Sequence, residues 1–130
     1  MNEISADIIK NAVYELCFRA NTCLTASVYE KIYSAYSEAV NHETKSLLKT
    51  ILLNAKIAND KKLPLCQDTG QVLVFLNIGQ NVTIKGDYIE KAISSAVEDC
   101  YKDNFFRQSV VKNAIFDRIK SCANNCIFCF

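Results

Sequence analysis

Residues 63–70 read Leu-Pro-Leu-Cys-Gln-Asp-Thr-Gly and separate a long helical region from the most apolar segment of the chain, residues 72–78. Pro64 has a fixed φ and Gly70 can adopt a positive φ, so the sequence predicts a turn here. The turn places a thiol, an amide, a carboxylate and a hydroxyl on four consecutive positions. Reactive side chains just before a buried strand are typical of a functional loop. The stretch therefore divides the fold and marks a candidate site.

The composition is that of a single globular domain. The chain has 130 residues, of which 50% are hydrophobic and 22% are charged, with a formal net charge of +1. This charge gives no reason to expect nucleic acid or an anionic membrane as a partner. No apolar stretch approaches the roughly 20 residues needed to span a bilayer, and the N-terminus lacks the features of a signal peptide. We therefore expect a cytoplasmic protein.

Apolar residues recur at helical spacing in three segments before the turn. The first helix is expected to use Ser5 as its N-cap and to run to about Arg19. Its expected apolar face consists of Ile4, Ile8, Ala12, Val13, Leu16 and Cys17. Thr25 is expected to cap the second helix. The third is expected to start at Thr44 and to bury the stripe Leu47, Leu48, Ile51, Leu52, Ala55 and Ala58. His42, the only histidine, lies in a polar connector and is interpreted as a solvated turn residue, with a catalytic base as the alternative.

The region after the turn predicts strands and one more helix. Residues 72–78 are apolar almost without alternation, which predicts a strand covered on both faces. Residues 82–84 predict a second short strand. Asp87 followed by Glu90 has the spacing of a capping box for a fourth helix, whose expected apolar face consists of Ile89, Ile93, Ala96, Val97 and Cys100. The predicted fold class is α+β, with amphipathic helices packed on a small sheet.

Seven cysteines are many for a chain of this size in a reducing compartment, where metal ligation, catalysis or simple burial is more common than a disulfide. Cys17, Cys23 and Cys100 lie in or beside helical patterns and are interpreted as ordinary core or surface residues. Cys66 stands alone in the turn. The remaining three, Cys122, Cys126 and Cys129, lie in the last nine residues.

Several segments together resemble the class I fumarases, the iron–sulfur hydro-lyases that include the L(+)-tartrate dehydratase alpha subunit. These segments are Ile51–Ala58, Leu63–Gly70, Val74-Phe75 with Ile78-Gly79-Gln80, the helix that opens at Gly86, and Phe106–Val111. The resemblance implies that residues 1–118 are the N-terminal part of an alpha-type catalytic domain. Residues 119–130 then form a divergent cysteine-rich tail.

The resemblance implies a cofactor and a reaction. In that family three cysteines hold a 4Fe-4S cluster, and its remaining iron binds a small dicarboxylic hydroxy acid while water is added or removed. Cys66 matches the first cluster ligand, and Gln67, Asp68 and Arg107 match the substrate site. A guanidinium fork is well suited to a carboxylate. Without the resemblance, Cys66 also fits a buried turn thiol, Asp68 an Asx-turn residue and Arg107 a surface charge.

The chain leaves the family pattern after Phe116-Asp117-Arg118, before the two further cluster cysteines that the family uses. One thiolate cannot hold a cluster that needs three. We therefore expect a truncated chain that is inactive alone and does not fully assemble the cluster. A beta-type subunit, the remainder of the catalytic chain, or further copies of this chain are the expected partners.

The tail has C-x3-C-x2-C spacing at Cys122, Cys126 and Cys129, which resembles the cluster motif of radical S-adenosylmethionine enzymes. Three accounts are open: an altered or fused reading frame, a genuine end with inert cysteines, or a cluster or zinc site completed by Cys66. A function of a different class is also open, that of a non-catalytic metal- or partner-binding module.

Overall fold

The computed structural model describes residues 2–67, 70–108, 110, 111, 113, 115 and 116, and the backbone alone at 127–129. The chain divides into two compact units. Unit 1 comprises Met1–Phe18 and Gln67–Phe130, and unit 2 comprises Arg19–Cys66. None of the described helices has both the length and the apolar composition needed to cross a membrane.

The described residues form helices and short strands, which confirms the α+β class. Their order is β1 (Asn2–Ser5), α1 (Ala6–Thr22), α2 (Ala26–Glu38), α3 (His42–Lys61), β2 (Leu73–Phe75), β3 (Val82–Lys85), α4 (Ile89–Asp103) and β4 (Ile127–Cys129).

The described residues of unit 1 form two parallel strand pairs. β1 pairs with β3 in the register Asn2↔Val82 to Ser5↔Lys85, and β2 pairs with β4 in the register Leu73↔Ile127 to Phe75↔Cys129. The predicted strand at 82–84 is confirmed. The sequence did not predict β1 or β4, because each is three or four residues long and is defined by a partner distant in the chain.

The core of unit 1 lies between α1 and α4. Ile93, Ala96, Val97 and Cys100 recur at helical spacing on α4 and are buried, as the sequence predicts. They form one apolar cluster that also contains Val13, Cys17, Tyr101 and Phe106. The cluster holds the end of α4 in place, and the segment carrying Arg107 follows directly.

The prediction of a strand at 72–78 covered on both faces is wrong in length and in burial. β2 has three residues, and its side chains alternate between the core and the surface. Val72 and Val74 pack against the core, whereas Leu73 is 54% exposed and Phe75 is 75% exposed. The apolar run at residues 72–78 therefore contains a strand that buries only one of its two faces.

The helix α1 differs from its prediction at both ends and on its surface. Ile4 belongs to β1, and the helix continues to Thr22 instead of ending near Arg19. Ser5 Oγ accepts a hydrogen bond from Asp7 N at 3.1 Å, as expected of a residue at a helix start. Ile8 and Leu16 are exposed, because they lie off the side of α1 that carries Ala6, Val13 and Cys17, which together with Thr22 are its buried residues.

The predicted capping box at Asp87 is wrong. α4 begins at Ile89, and its N-cap, Tyr88, makes no side-chain capping bond. Asp87 instead accepts from Tyr88 N at 3.1 Å and pairs with Lys91 at 2.7 Å. Gly86 precedes it with φ of 103°, where a Cβ would also lie 3.6 Å from that of Ala6.

Unit 2 contains a pair of helices, α2 and α3, with clear end signals. Thr25 caps α2 as predicted, with its side chain accepting from Val28 N. α3 begins at His42 and not at Thr44, because Asn41 Oδ1 accepts from Glu43 N at 2.8 Å and from Thr44 N at 3.1 Å. His42 is therefore an exposed residue of the first helical turn and not a connector residue.

The predicted buried stripe of α3 is only partly confirmed. Ala55 and Ala58 are buried, and Leu48 and Leu52 are half-buried. Leu47 is 67% exposed and Ile51 is also exposed. The periodic pattern reports an apolar face correctly, but burial requires a surface to cover that face.

Candidate functional site

Two hydrogen bonds in unit 2 hold the chain immediately before Cys66. Leu65 N donates to Asn21 O at 2.8 Å, and Asn54 Nδ2 donates to Leu65 O at 2.8 Å. Both backbone groups of Leu65 are therefore satisfied, one by the last turn of α1 and one by a side chain of α3. Cys66 follows with an exposed, free thiol. This local order presents the thiol at the start of the turn.

Unit 1 brings together two of the residues predicted to bind substrate. Arg107 Nη1 donates to Gln67 O at 3.1 Å, across 40 positions of sequence. Gln67 Nε2 donates in return to Phe105 O at 3.5 Å. Both side chains are exposed. The guanidinium of Arg107 therefore contacts the backbone of Gln67, the residue that follows Cys66 in the chain.

The remaining residues predicted for the site lie wholly or partly outside the part of the chain that the structure describes. Asp68 lies outside the described residues, as do Cys122 and Cys126. Cys129 lies in β4, where its Cα is in register with that of Phe75, but its side chain is not described. The substrate role of Asp68 and the metal role of the three tail cysteines stay predictions.

The other cysteines confirm their interpretation as ordinary structural residues. Cys17 and Cys100 are buried in the core of unit 1, and Cys23 Sγ donates to Asn59 Oδ1 at 3.1 Å in unit 2. A hydrogen bond with Cys17 lowers the pKa of the Cys100 thiol, against the opposing effect of burial. These thiols are held by protein contacts of their own.

The described residues do not by themselves fit a cluster held by three cysteines. No group of three or more histidine, cysteine, aspartate or glutamate side chains that could hold a metal occurs in the described part of the chain. At the turn the described thiol is that of Cys66, while Cys17 and Cys100 lie in the core. Further thiolates would have to come from elsewhere.

Two residues near the site escaped the sequence-based prediction. Asn54 holds Leu65, and Phe106 is 5% exposed beside Arg107. The sequence carries a feature that could have drawn attention to each residue. Asn54 is an amide within the apolar helical run of residues 51–58, and an aromatic pair precedes Arg107. Neither signal identifies the partner, because each partner is distant in sequence.

Comparison with known proteins adds a family and two informative relatives. The family model described as Fumarate hydratase (Fumerase) matches residues 10–126. A Methanocaldococcus jannaschii protein, provisionally named as an L(+)-tartrate dehydratase subunit alpha, is 40% identical over 74 residues, covering 57% of this chain and 26% of that protein. The L(+)-tartrate dehydratase subunit alpha of Escherichia coli K12 is 23% identical over 128 residues, covering 95% of this chain and 41% of that protein.

The extent of these matches bears on the predicted division of the chain. The chain spans less than half the length of these relatives. The family match also runs past residue 118 and includes Cys122 and Cys126. The division at 118 stays a prediction. Because the family model covers most of the sequence, including the turn and the Arg107 segment, the chain belongs to the fumarate hydratase (Fumerase) family.

Proposed function

We propose that this chain is the N-terminal part of an iron–sulfur hydro-lyase that adds water to, or removes it from, a small dicarboxylic hydroxy acid such as malate or tartrate. The family match over residues 10–126 supports the reaction class. The contact between Arg107 and Gln67 carries the proposal structurally, because it places a guanidinium at the turn that the family resemblance marks.

The proposed roles follow from the chemistry of each side chain. Arg107 binds one carboxylate of the substrate, because its planar fork can donate two parallel hydrogen bonds. Gln67 and Asp68 contact the substrate's other polar groups. Cys66 is a single ligand of the iron–sulfur cluster, since its exposed thiol is available at the start of the turn. The cluster needs further thiolate ligands, which the described residues do not provide.

The proposed assembly extends beyond this chain. The relatives are named as alpha subunits. We therefore propose a beta-type subunit, or the remainder of a catalytic chain, as the partner that completes the site, and self-association of this chain. A cytoplasmic location stays a prediction from the sequence.

Ligand binding tests the substrate proposal. Calorimetric titration with L-malate and with L(+)-tartrate should show binding by the wild-type chain, at least tenfold weaker in Arg107→Gln because a charged hydrogen-bond donor is lost. Arg19→Gln is the matched control, since Arg19 is an exposed arginine of α1. Equal affinities of wild type and Arg107→Gln would contradict the proposal.

Turnover and cluster assembly test the prediction of inactivity. The purified chain is expected not to hydrate fumarate, and detectable malate formation would overturn that expectation.

Anaerobic incubation with iron and sulfide, followed by metal analysis and visible absorption, tests whether the cysteines bind iron. If Cys66 is an iron ligand, iron uptake should be lost in Cys66→Ser and retained in Cys23→Ser. Uptake unchanged in Cys122→Ser and Cys126→Ser would exclude a tail cluster.

A partner-binding module is the second candidate function. The exposed apolar side chains on α3, which include Leu47, Ile51, Leu53 and Ile57, favour it. A groove of about 400 Å³ in unit 2 adds a concave surface, lined in part by Leu24, Tyr29 and Ala55. Native mass spectrometry with metal analysis separates the candidates. Zinc bound without sulfide would favour the module, and iron with sulfide would favour the hydro-lyase.

A further inference from the structure

We infer that Phe106 is a positioning residue for Arg107: its buried ring fixes the backbone from which the guanidinium reaches Gln67. This inference rests on the proposed function for the importance of Arg107, but not for the geometry. The geometry is contained entirely in unit 1.

The C-terminal end of α4 forms a Schellman turn. Phe106 N donates to Tyr101 O at 3.0 Å, and Phe105 N donates to Lys102 O at 3.3 Å. Phe105 occupies the left-handed position with φ of 55°. Glycine is usual there, because a Cβ is disfavoured at that φ. The chain thus reverses sharply at a residue that is poorly suited to doing so alone, and other contacts must hold it.

The ring of Phe106 supplies the first of these contacts. It is edge-on to Tyr101, with centroids 5.6 Å apart, and stacks on Phe18 at 6.3 Å. A contact between the residue after the left-handed position and the last turn of the helix is a regular part of this motif. Here it is made by two aromatic rings in a favourable geometry, and Phe106 joins the core cluster.

Asn104 supplies a second anchor just before the reversal. Its Nδ2 donates to Cys100 O at 2.9 Å and to Tyr14 Oη at 3.2 Å. Tyr14 Oη donates in turn to Asp103 Oδ2 at 3.1 Å. The end of α4 is thereby bound to α1 by polar contacts on one side and by the Phe106 ring on the other.

Arg107 is the first residue beyond these anchors. The hydrogen bonds from Arg107 Nη1 to Gln67 O and from Gln67 Nε2 to Phe105 O flank Phe106 on both sides in sequence. Both contacts therefore depend on where Phe106 places the backbone. Loss of its ring should release Arg107 from Gln67, while α4 itself retains its helical hydrogen bonds.

The spectrum of the arginine side chains tests this directly. The chain has three arginines, Arg19, Arg107 and Arg118, so selective ¹⁵N-arginine labelling gives a simple spectrum that Arg107→Lys assigns. In Phe106→Ala the Arg107 guanidinium signals should move to the positions of free arginine. Phe116→Ala is the matched control, because Phe116 is 89% exposed, and it should leave these signals unchanged. Phe105→Gly should also leave them unchanged, since glycine suits the left-handed position.

Folding of each variant is checked by far-ultraviolet circular dichroism. If Phe106→Ala does not fold, Phe106→Leu replaces it, because leucine retains most of the buried volume but lacks the ring contacts. An Arg107 signal between the wild-type and free positions is then expected. An unmoved Arg107 signal in whichever of the two variants folds would overturn the inference.

Titration of the same samples with L-malate separates this inference from the proposed function. If wild-type Arg107 does not respond to malate but its signals still depend on Phe106, the positioning role stands and the substrate role fails. If Arg107 responds to malate equally in wild type and in the folded Phe106 variant, the positioning role fails and the substrate role stands.

Discussion

At the scale of single residues, one backbone carbonyl joins two residues of the candidate site. Gln67 O accepts from Arg107, and Gln67 is itself the neighbour of Cys66. The sequence identified each of these residues by its chemistry. It could not show that Arg107 and Gln67 touch, because a hydrogen bond across 40 positions depends on how the intervening strands and helix pack.

The ion pair of Asp87 with Lys91 predicts a specific pH dependence. Hydrogen bonding from Lys91 is the largest cause that lowers the pKa of Asp87 from its usual 3.8, and Tyr88 N contributes. The folded state thus favours the ionised form. This contribution to stability is fully present above pH 3.8 and is lost as the pH falls through the lower pKa of the folded state. Urea midpoints measured at pH 5 and pH 2 should therefore differ more in wild type than in Asp87→Asn.

Two further variants test the cause of that pH dependence. Lys91→Met removes the partner of Asp87 and should reproduce most of the effect of Asp87→Asn. Glu90→Gln removes a neighbouring carboxylate of the same helical turn and should retain the wild-type difference between the two pH values. An equal acid sensitivity of wild type and Asp87→Asn would contradict the assignment.

At the scale of elements, the side chains at helix ends decide the boundaries more than apolar periodicity does. Asn41 starts α3 two residues earlier than the pattern indicates, and the Asp87–Lys91 contact replaces the expected capping box. Both helix ends with left-handed residues, at Lys62 and Phe105, lack the glycine that would have marked them in the sequence. The sequence therefore shows which side chains can form capping bonds, but it does not show which of the competing local bonds forms.

The left-handed residue at the end of α3 predicts a stabilising substitution. Lys62 has φ of 55°, and Leu63 N donates to Ala58 O at 3.0 Å. Lys62→Gly should raise the free energy of unfolding by about 0.5–1 kcal/mol, because glycine adopts this conformation without a Cβ clash. Urea denaturation followed by circular dichroism measures the change.

Lys61→Gly provides the matched control for Lys62→Gly. It removes the same charge at the adjacent position, but Lys61 is the last residue of α3. It should lower the free energy of unfolding by about 0.5–1 kcal/mol, because glycine is a poor helix former. Destabilisation of similar size by both substitutions would show that loss of the lysine charge near the helix end outweighs the backbone effect.

At the scale of the whole molecule, unit 2 presents more apolar surface than its own residues cover. α2 has no buried residue, and Val40 after it is 99% exposed. α3 adds Leu47 and Ile51. An exposed patch of this kind usually marks an interaction surface or a tendency to aggregate.

This surface predicts self-association of the isolated chain. Size-exclusion chromatography with light scattering should show oligomers or aggregates for wild type, and a larger monomer fraction for the double variant Leu47→Gln, Ile51→Gln. The double variant Lys49→Gln, Lys56→Gln changes two other exposed residues of α3 and should behave as wild type. A sharp monomer peak for the wild-type chain would rule out this prediction.

The sequence predicted those features of the fold and the site that depend on interactions between residues close together in the chain. The helices, the strand at β3 and the buried face of α4 were predicted, because residues three or four positions apart determine them. The burial of β2, the exposure of Leu47 and Ile51 on α3, and the strands β1 and β4 were not, because each depends on residues distant in sequence. The site shows the same division: Cys66, Gln67 and Arg107 were named, while Asn54 and Phe106 were missed.

The sequence by itself determined the family, the α+β class and the reactive turn, since these are properties of residue order and local conformation. Only the tertiary structure decided that Arg107 lies on Gln67, that Asn54 holds the chain before Cys66, and that Phe106 is enclosed by Phe18 and Tyr101. The physical reason is that hydrogen bonds and ring contacts between distant residues form only once packing has fixed the backbones that carry them.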